Sequence, residues 1–344
     1  MTQIKVDNIA DAAGTGAPDF SDGLTVAGSA LSTLNTAEYY SSATEPASPK
    51  NGAIWWDTAN EKVMVYIAGE FKEVELGAAA PISAPSWTFN TADLSLDSNP
   101  LAVGGQEGSP YSVAVSTDGS KMFLVGVSSD SVFQYSLSTA FDTTTATYDN
   151  VSFSLSSQST QPANIKFNPD GTKMFIADIS TNSIYQYSLS TAFDASTISY
   201  DNVSFSAASQ ETYLMALYFT FDGTKMYAGG RDSDRVYQYS LSTAFDVSTA
   251  SYDNVSLDIS AKEASLTSIF FDTAGDKLFI LGFNSDSLHQ YNLSSAYDLT
   301  TATFSSTLAT PAGALGASVS YDGTKVYIGN TASPDFIYQY STGL

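Results

Sequence analysis

The sequence predicts an all-β chain whose larger part is a five-bladed β-propeller of about 52-residue repeats, closed by an N-terminal strand. Three observations carry this. A stretch reading roughly Phe-x-x-Asp-Gly-Thr-Lys-Met-Tyr, then Val-Tyr-Gln-Tyr-Ser-Leu-Ser-Thr-Ala-Phe-Asp, recurs five times, with its lysines at Lys121, Lys173, Lys225, Lys277 and Lys325, so the intervals are 52, 52, 52 and 48. Two columns stay apolar in all copies: positions 113, 165, 217, 269 and 317 hold Val, Ile, Leu, Ile and Ala, and positions 115, 167, 219, 271 and 319 hold Val, Phe, Phe, Phe and Val. The phase of the copies is the third observation. The last copy stops at Tyr340 after its third strand, while the segment from about Leu94 to Val103, after Trp87-Thr-Phe89, has no preceding blade to join. A ring in which that segment completes the last blade removes both open sheet edges. An open array completed by another subunit is the alternative.

Within one repeat the elements follow from local chemistry. Ala163, Ile165 and Phe167 alternate with polar residues, which is the period of a half-buried strand, and Asn168-Pro-Asp-Gly171 is a tight-turn signal. The next strand runs from Lys173 to Ala177, a polar break at 180–182 makes a second hairpin, and Ile184 to Leu189 forms a third strand. Val203-Ser-Phe205 supplies a fourth, so each repeat is one antiparallel blade.

Four segments are expected: residues 1–40, small and Gly-rich; 41–76, a small β module with an Asn51-Gly52 turn and the adjacent Trp55 and Trp56; 77–85, an Ala/Pro-rich linker; and 86–344, the propeller. About 35 residues rarely form a stable core alone, so Trp55 and Trp56 are expected to pack across a subunit boundary.

The apolar strand followed by Pro-Asp-Gly-Thr-Lys-Met-Tyr and Val-Tyr-Gln-Tyr resembles the propeller repeats of the YVTN and lactonase-like class over residues 86–341. That implies fold, because propellers host many functions. The opening Ile4-Lys-Val-Asp-Asn-Ile-Ala and the module from Pro46 through Gly52-Ala-Ile-Trp-Trp56 to Gly69-Glu-Phe-Lys-Glu-Val74 are similar to bacteriophage tail-fibre and related virion proteins. This resemblance implies a virion location, attachment to other virion proteins through the N-terminus, and a homotrimer.

Composition narrows the chemistry. Thirteen basic against 36 acidic side chains, spread along the chain for a formal charge of −23, speak against nucleic acid as a partner. The N-terminus lacks the apolar core of a signal peptide and no run of about 18 apolar residues suggests membrane insertion. With no cysteine, no Gly-x-Ser-x-Gly and one histidine, which replaces an aromatic in the column 133, 185, 237, 289 and 338, ordinary nucleophiles and multi-histidine metal sites are excluded. His289 reads as structural. The recurring Asp142/Asp149, Asp194/Asp201 and Asp246/Asp253 read as turn residues ahead of calcium ligands, and ahead of catalytic acids. No cofactor is expected, calcium being the one metal these carboxylates suit.

Function is expected where repeats differ. The hairpins between second and third strands carry Asp130, Asn182, Arg231, Asp232, Asp234, Arg235 and Asp286, and the connections between blades carry Gln106, Glu107, Gln158, Gln210, Tyr213 and Lys262. Propeller geometry brings both sets to one face, as candidate loops for a receptor or glycan. The expectation is a phage tail fibre or receptor-binding protein acting by attachment without enzymatic activity. The alternatives are a head decoration or tail adaptor protein and a glycan-degrading virion enzyme.

Overall fold

In the computed structural model the chain divides into two compact units, Met1–Ser83 and Ala84–Leu344. The structure describes residues 84–97, 99–331 and 335–344, together with seven short strands and Thr44 in the first unit. There, Thr25–Val26 pairs antiparallel with both Ile4–Lys5 and Ser29–Ala30. Tyr39–Ser42 runs parallel to Ile54–Asp57, and the sheet continues antiparallel through Lys62–Ile67 to Glu70–Val74. Trp55 and Trp56 lie on Ile54–Asp57 opposite Met64 and Val63. Their side chains, and with them the expected subunit contact, fall outside the described residues.

The second unit is a five-bladed β-propeller of antiparallel sheets. The innermost strands are Pro110–Val115, Pro162–Phe167, Leu214–Phe219, Leu266–Phe271 and Ala314–Val319, in blades I to V. Blade III shows how the repeat motif builds a blade. Asp222 accepts hydrogen bonds from Thr220 Oγ1 at 2.6 Å and from the Thr224 amide at 3.0 Å, which closes the turn between the first two strands. Gly223 has φ +69, and a Cβ there would lie 2.3 Å from the Phe245 ring. Glycine is thus required both by the left-handed backbone and by the aromatic ring that covers it. Asn254, with φ 60, sits beside the register shift between Gln238 and Tyr239 where the outer strand bulges. The Asn-Val-Ser triplets at Asn150, Asn202 and Asn254 therefore mark a repeated β-bulge, because asparagine tolerates that backbone region better than most residues.

Blades join through apolar clusters and, at four of the five joints, through a glutamine, Gln238 Oε1 being left without a partner. The cores are made between neighbours, as where Phe123 and Val125 of blade I pack with Ile165 and Met174 of blade II. Gln134 Oε1 accepts from the Ala195 amide of the next blade at 2.7 Å, and Gln186 accepts from Val247, Gln290 from Thr91 and Gln339 from Thr143 in the same way.

The ring closes within the chain as the phase analysis expects. Phe336–Ser341, the third strand of blade V, pairs with Ser95–Leu96 and Leu101–Ala102. Asp97 then stands where Asp149 and Asp253 stand in other blades, accepting from Gln339 Nε2 at 2.7 Å, Ser341 Oγ at 2.8 Å and Lys325 Nζ at 2.9 Å. In one respect the closure differs from the spacing. Phe89 is 52 residues before Phe141, yet the ring over the Gly323 turn is Trp87, while Phe89 stacks on Phe279 of blade IV. Two aromatics divide the covering of a turn and the filling of the groove beside the preceding blade.

Candidate functional site

The connections between blades and the second hairpins do share one face, and buried carboxylates tie them together. Glu107 accepts from the amides of Ser109 at 2.8 Å and Ser128 at 3.0 Å, and from the Ser129 hydroxyl. Glu211 does the same for Tyr213, Asp232 and Ser233, and Glu263 for Ser265, Asn284 and Ser285. Glu107 is fully buried, which corrects its expected place among ligand-binding residues: its carboxylate is consumed in holding the loops. A glycine at 126, 230 and 282 makes room for each glutamate, since a Cβ at Gly282 would fall on the Glu263 carboxylate.

The column Asp130, Asn182, Asp234 and Asp286 has left-handed φ of 47, 53, 53 and 45. Its main role is to turn the hairpin; the Asp130 carbonyl, for example, accepts from Leu155 N at 2.8 Å. Asn182 Oδ1 and Asp286 Oδ1 also receive the amides of Leu214 and Gly313 of the following blade. At Asp130 the matching residue is Pro162, which has no N–H, and Oδ1 is left without a partner. Burial, with Glu107 and Asp178 nearby, raises its pKa.

The remaining candidates stay at the surface. Gln106 and Gln210 accept from the hydroxyls of Tyr135 and Tyr239 at 3.2 and 3.5 Å. Gln158 is half-buried in the same column, and Lys262 sets its ammonium 3.9 Å over the Phe304 ring. Arg235 pairs with Asp258 at 2.8 Å on the blade's outer side, and Asp232 accepts from Thr212 Oγ1 at 2.8 Å. At the centre of the face, Ala163, Ile179, Met215 and Leu315 plug the channel, with Tyr111, Val127, Tyr213 and Phe283 packed against them. The Arg231 guanidinium lies 5.1 Å from the Tyr213 ring and 5.4 Å from Phe283.

His289 is in the packing column, as expected. Its ring nitrogens contact Thr307 Oγ1 at 2.9 Å and Ser285 Oγ at 3.1 Å, and burial lowers its pKa. The paired aspartates are scaffold as well. Asp142, Asp194, Asp246 and Asp298 cap short 3-10 turns by accepting the amide two residues on, and Asp149 takes Gln134, Ser136 and Lys121.

Sequence reasoning missed a cavity of about 200 Å³ at the opposite end of the channel, near the first turns of the blades. Phe219, Phe270, Phe271, Tyr218 and Tyr297 line it, with Trp87 and Pro85 at its edge and Lys166 among its walls. The signal was the inner-strand column between the two apolar ones: positions 114, 166, 218, 270 and 318 hold Ala, Lys, Tyr, Phe and Ser. This column varies most in size and charge, and it is the one that faces the cavity's end of the channel.

No protein-family profile matches the chain, and no curated protein matches it. Solved structures do. The chain is similar to a "putative 6-phosphogluconolactonase" from Bacteroides uniformis at 15% identity, with 67% of each chain covered and a TM-score of 0.44. A protein of the same description from Bacteroides fragilis matches at 14% identity, 67% of each chain and a TM-score of 0.43. A "functionally unknown protein" from Desulfotomaculum acetoxidans matches at 11% identity, over 64% of this chain and 62% of that one, with a TM-score of 0.39. The expectation of no enzymatic activity is corrected here, because two of these structures carry the name of an enzyme. The absence of a nucleophile elbow, of cysteine and of a multi-histidine site leaves carboxylate chemistry open, so it does not exclude an enzyme. At this identity the likeness assigns no activity to the chain.

Proposed function

We propose that the chain is a bacteriophage virion protein of the tail, in which one propeller face binds a host-surface glycan or protein and the N-terminal segment joins other virion proteins in a homotrimer. The observation that carries this reading is the Arg231 group. Most charged residues of the repeat are consumed by scaffold contacts, whereas Arg231 lies over Tyr213 and Phe283 at the centre of the variable face with no carboxylate paired to it among the described residues. Arginine and aromatic side chains are the types that most often anchor interfaces. Trimeric display multiplies a modest contact into avidity. The resemblance of the first 76 residues to phage fibres supports the location.

Two measurements test it together. Immunogold electron microscopy should label the tail, and label confined to the capsid would overturn the receptor role. The full chain should bind cells of the bacterium on which the phage grows, and Arg231→Ala with Tyr213→Ala should weaken that binding about tenfold or more, as expected for loss of a central anchor. Unchanged binding would remove this face from the reading.

A further inference from the structure

The scaffold lysines have partners. Lys121, Lys225 and Lys325 meet Asp149, Asp253 and Asp97, while Lys173 and Lys277 donate to the carbonyls of Phe245 and Phe89 at 3.1 Å. Lys166 is different. Among the described residues its ammonium has no hydrogen bond and no ion pair, and it faces the channel cavity beside the small Ala114. No carboxylate lines the cavity among the described residues; at this end of the channel Asp272 is committed to Thr88 Oγ1 and to the amides of Asp276 and Lys277, and the turn aspartates Asp118, Asp170, Asp222 and Asp322 accept from groups of their own turns. The titratable groups facing the cavity with Lys166 are the phenols of Tyr218, Tyr297 and Tyr321, of which burial pushes Tyr218 well above the usual range. Neutral phenols leave the cation uncompensated. Burial alone pushes Lys166 down to about 8, so it is still largely charged at neutral pH.

Lys166 is half-buried, so its ammonium, which has no protein partner among the described residues, is open to water or to an anion at a mainly aromatic wall. One cation matches one negative charge, the walls are aromatic, and the volume of about 200 Å³ exceeds the roughly 150 Å³ that holds benzene in an apolar protein cavity. We propose that the end of the propeller channel opposite the variable loops is a binding site for a small aromatic monocarboxylate, with Lys166 meeting the carboxylate and the Phe219, Phe270 and Phe271 rings meeting the ring. This site is independent of the host-binding face.

Calorimetry of the full chain with benzoate tests it, with benzyl alcohol as the uncharged counterpart. Benzoate is expected to bind more tightly than benzyl alcohol, and Lys166→Met, which keeps the length of the side chain, is expected to weaken benzoate by about tenfold to a hundredfold while leaving benzyl alcohol unchanged. Affinity for benzoate should also fall as pH rises above about 8, where the ammonium is lost. The variant should remain folded, because Lys166 is only half-buried and makes no hydrogen bond or ion pair that the fold depends on among the described residues. Equal binding of the two ligands, no effect of Lys166→Met on benzoate, or no benzoate binding at about 20 mM would each overturn the proposal.

Discussion

The hydroxyl of Ser159 donates to Asp178 Oδ2 at 2.6 Å, and this pair reverses the arrangement of the neighbouring blades. In blades I, III and IV the carboxylate comes from the interblade connection and the strand end is glycine; in blade II the strand end carries the carboxylate and the connection carries the short side chain. Asp178 accepts from Gln161 N at 2.9 Å, Thr181 N at 2.8 Å and Ser180 Oγ at 2.6 Å, so the same loop groups are satisfied from the opposite side. In these four blades one buried carboxylate lies between the two loops, whichever chain segment supplies it, whereas blade V carries Asn330 at the strand end, donating to the Ala312 carbonyl.

This predicts strong coupling between the two sites. Asp178→Gly alone strips the loops of their acceptor and should cost about 3 kcal/mol, while Ser159→Glu alone buries a second carboxylate against the first and should cost a similar amount. The double variant rebuilds the pattern of blade III and should be less destabilised than the sum of the singles by about 2 kcal/mol or more. Urea denaturation of the four proteins measures this; additive effects would refute the exchange.

Closure of the ring is tested at Asp97. Desolvation raises the pKa of this carboxylate, but the bonds from Gln339, Lys325 and Ser341 outweigh it and hold the pKa below the ordinary value of 3.8. A lowered folded pKa contributes stability that is present above the unfolded pKa and is lost as pH falls through the folded one. Asp97→Asn should therefore lose about 1–2 kcal/mol at pH 7 and show a shallower decline below pH 4 than the wild type. Because Asp97 joins the first strand to the last, the variant should also expose residues 95–102 to faster hydrogen exchange. Unchanged protection there would argue against the closing role.

The repeat made the blades legible because every scaffold role recurs in register: Asp-Gly at the first turn, Gln between blades, and Asn at the bulge. The roles of Trp87 and Phe89 are not legible in the spacing because the closing segment is a single interrupted copy, and one copy offers no column against which to check a two-residue offset. Glu107 looked like a free polar loop residue, since a side chain that satisfies backbone amides has the same composition as one that awaits a ligand. Blade II breaks that column with Ser159 and restores it with Asp178, a compensation visible only when the two loops are seen in contact. Lys166 was hidden by alternation, which makes a polar residue in a strand read as solvent-facing when the neighbouring face lines a cavity.

Stability near neutral pH should carry the mark of His289. Burial lowers its pKa, with Glu263 opposing and Lys262 reinforcing the shift, so the folded chain keeps the ring neutral where the unfolded chain protonates it near pH 6.5. Stability should therefore fall as pH drops through the window just below 6.5 and should be unaffected above it. His289→Tyr, matching Tyr185 and Tyr237 of the same column, should abolish that step in thermal melts recorded between pH 5 and 7. A step that persists in the variant would place the titrating group elsewhere.

Asp272 should produce a slope of the opposite sign. It is fully buried, and burial, together with the Asp276 carboxyl, pushes its pKa up to about 6 against the bonds from Thr88 and the Lys277 amide. Between about pH 4 and 6 the fold retains a proton that the unfolded chain has released, so stability declines as pH rises through that window, by up to about 3 kcal/mol. Blade II places Asn168 at the matching position, where its Oδ1 accepts from Lys173 N at 2.8 Å. Asp272→Asn keeps that acceptor and removes the charge. The variant should match the wild type near pH 4, exceed it by about 1–3 kcal/mol at pH 7, and lose the slope between them, and denaturant midpoints across that range decide it.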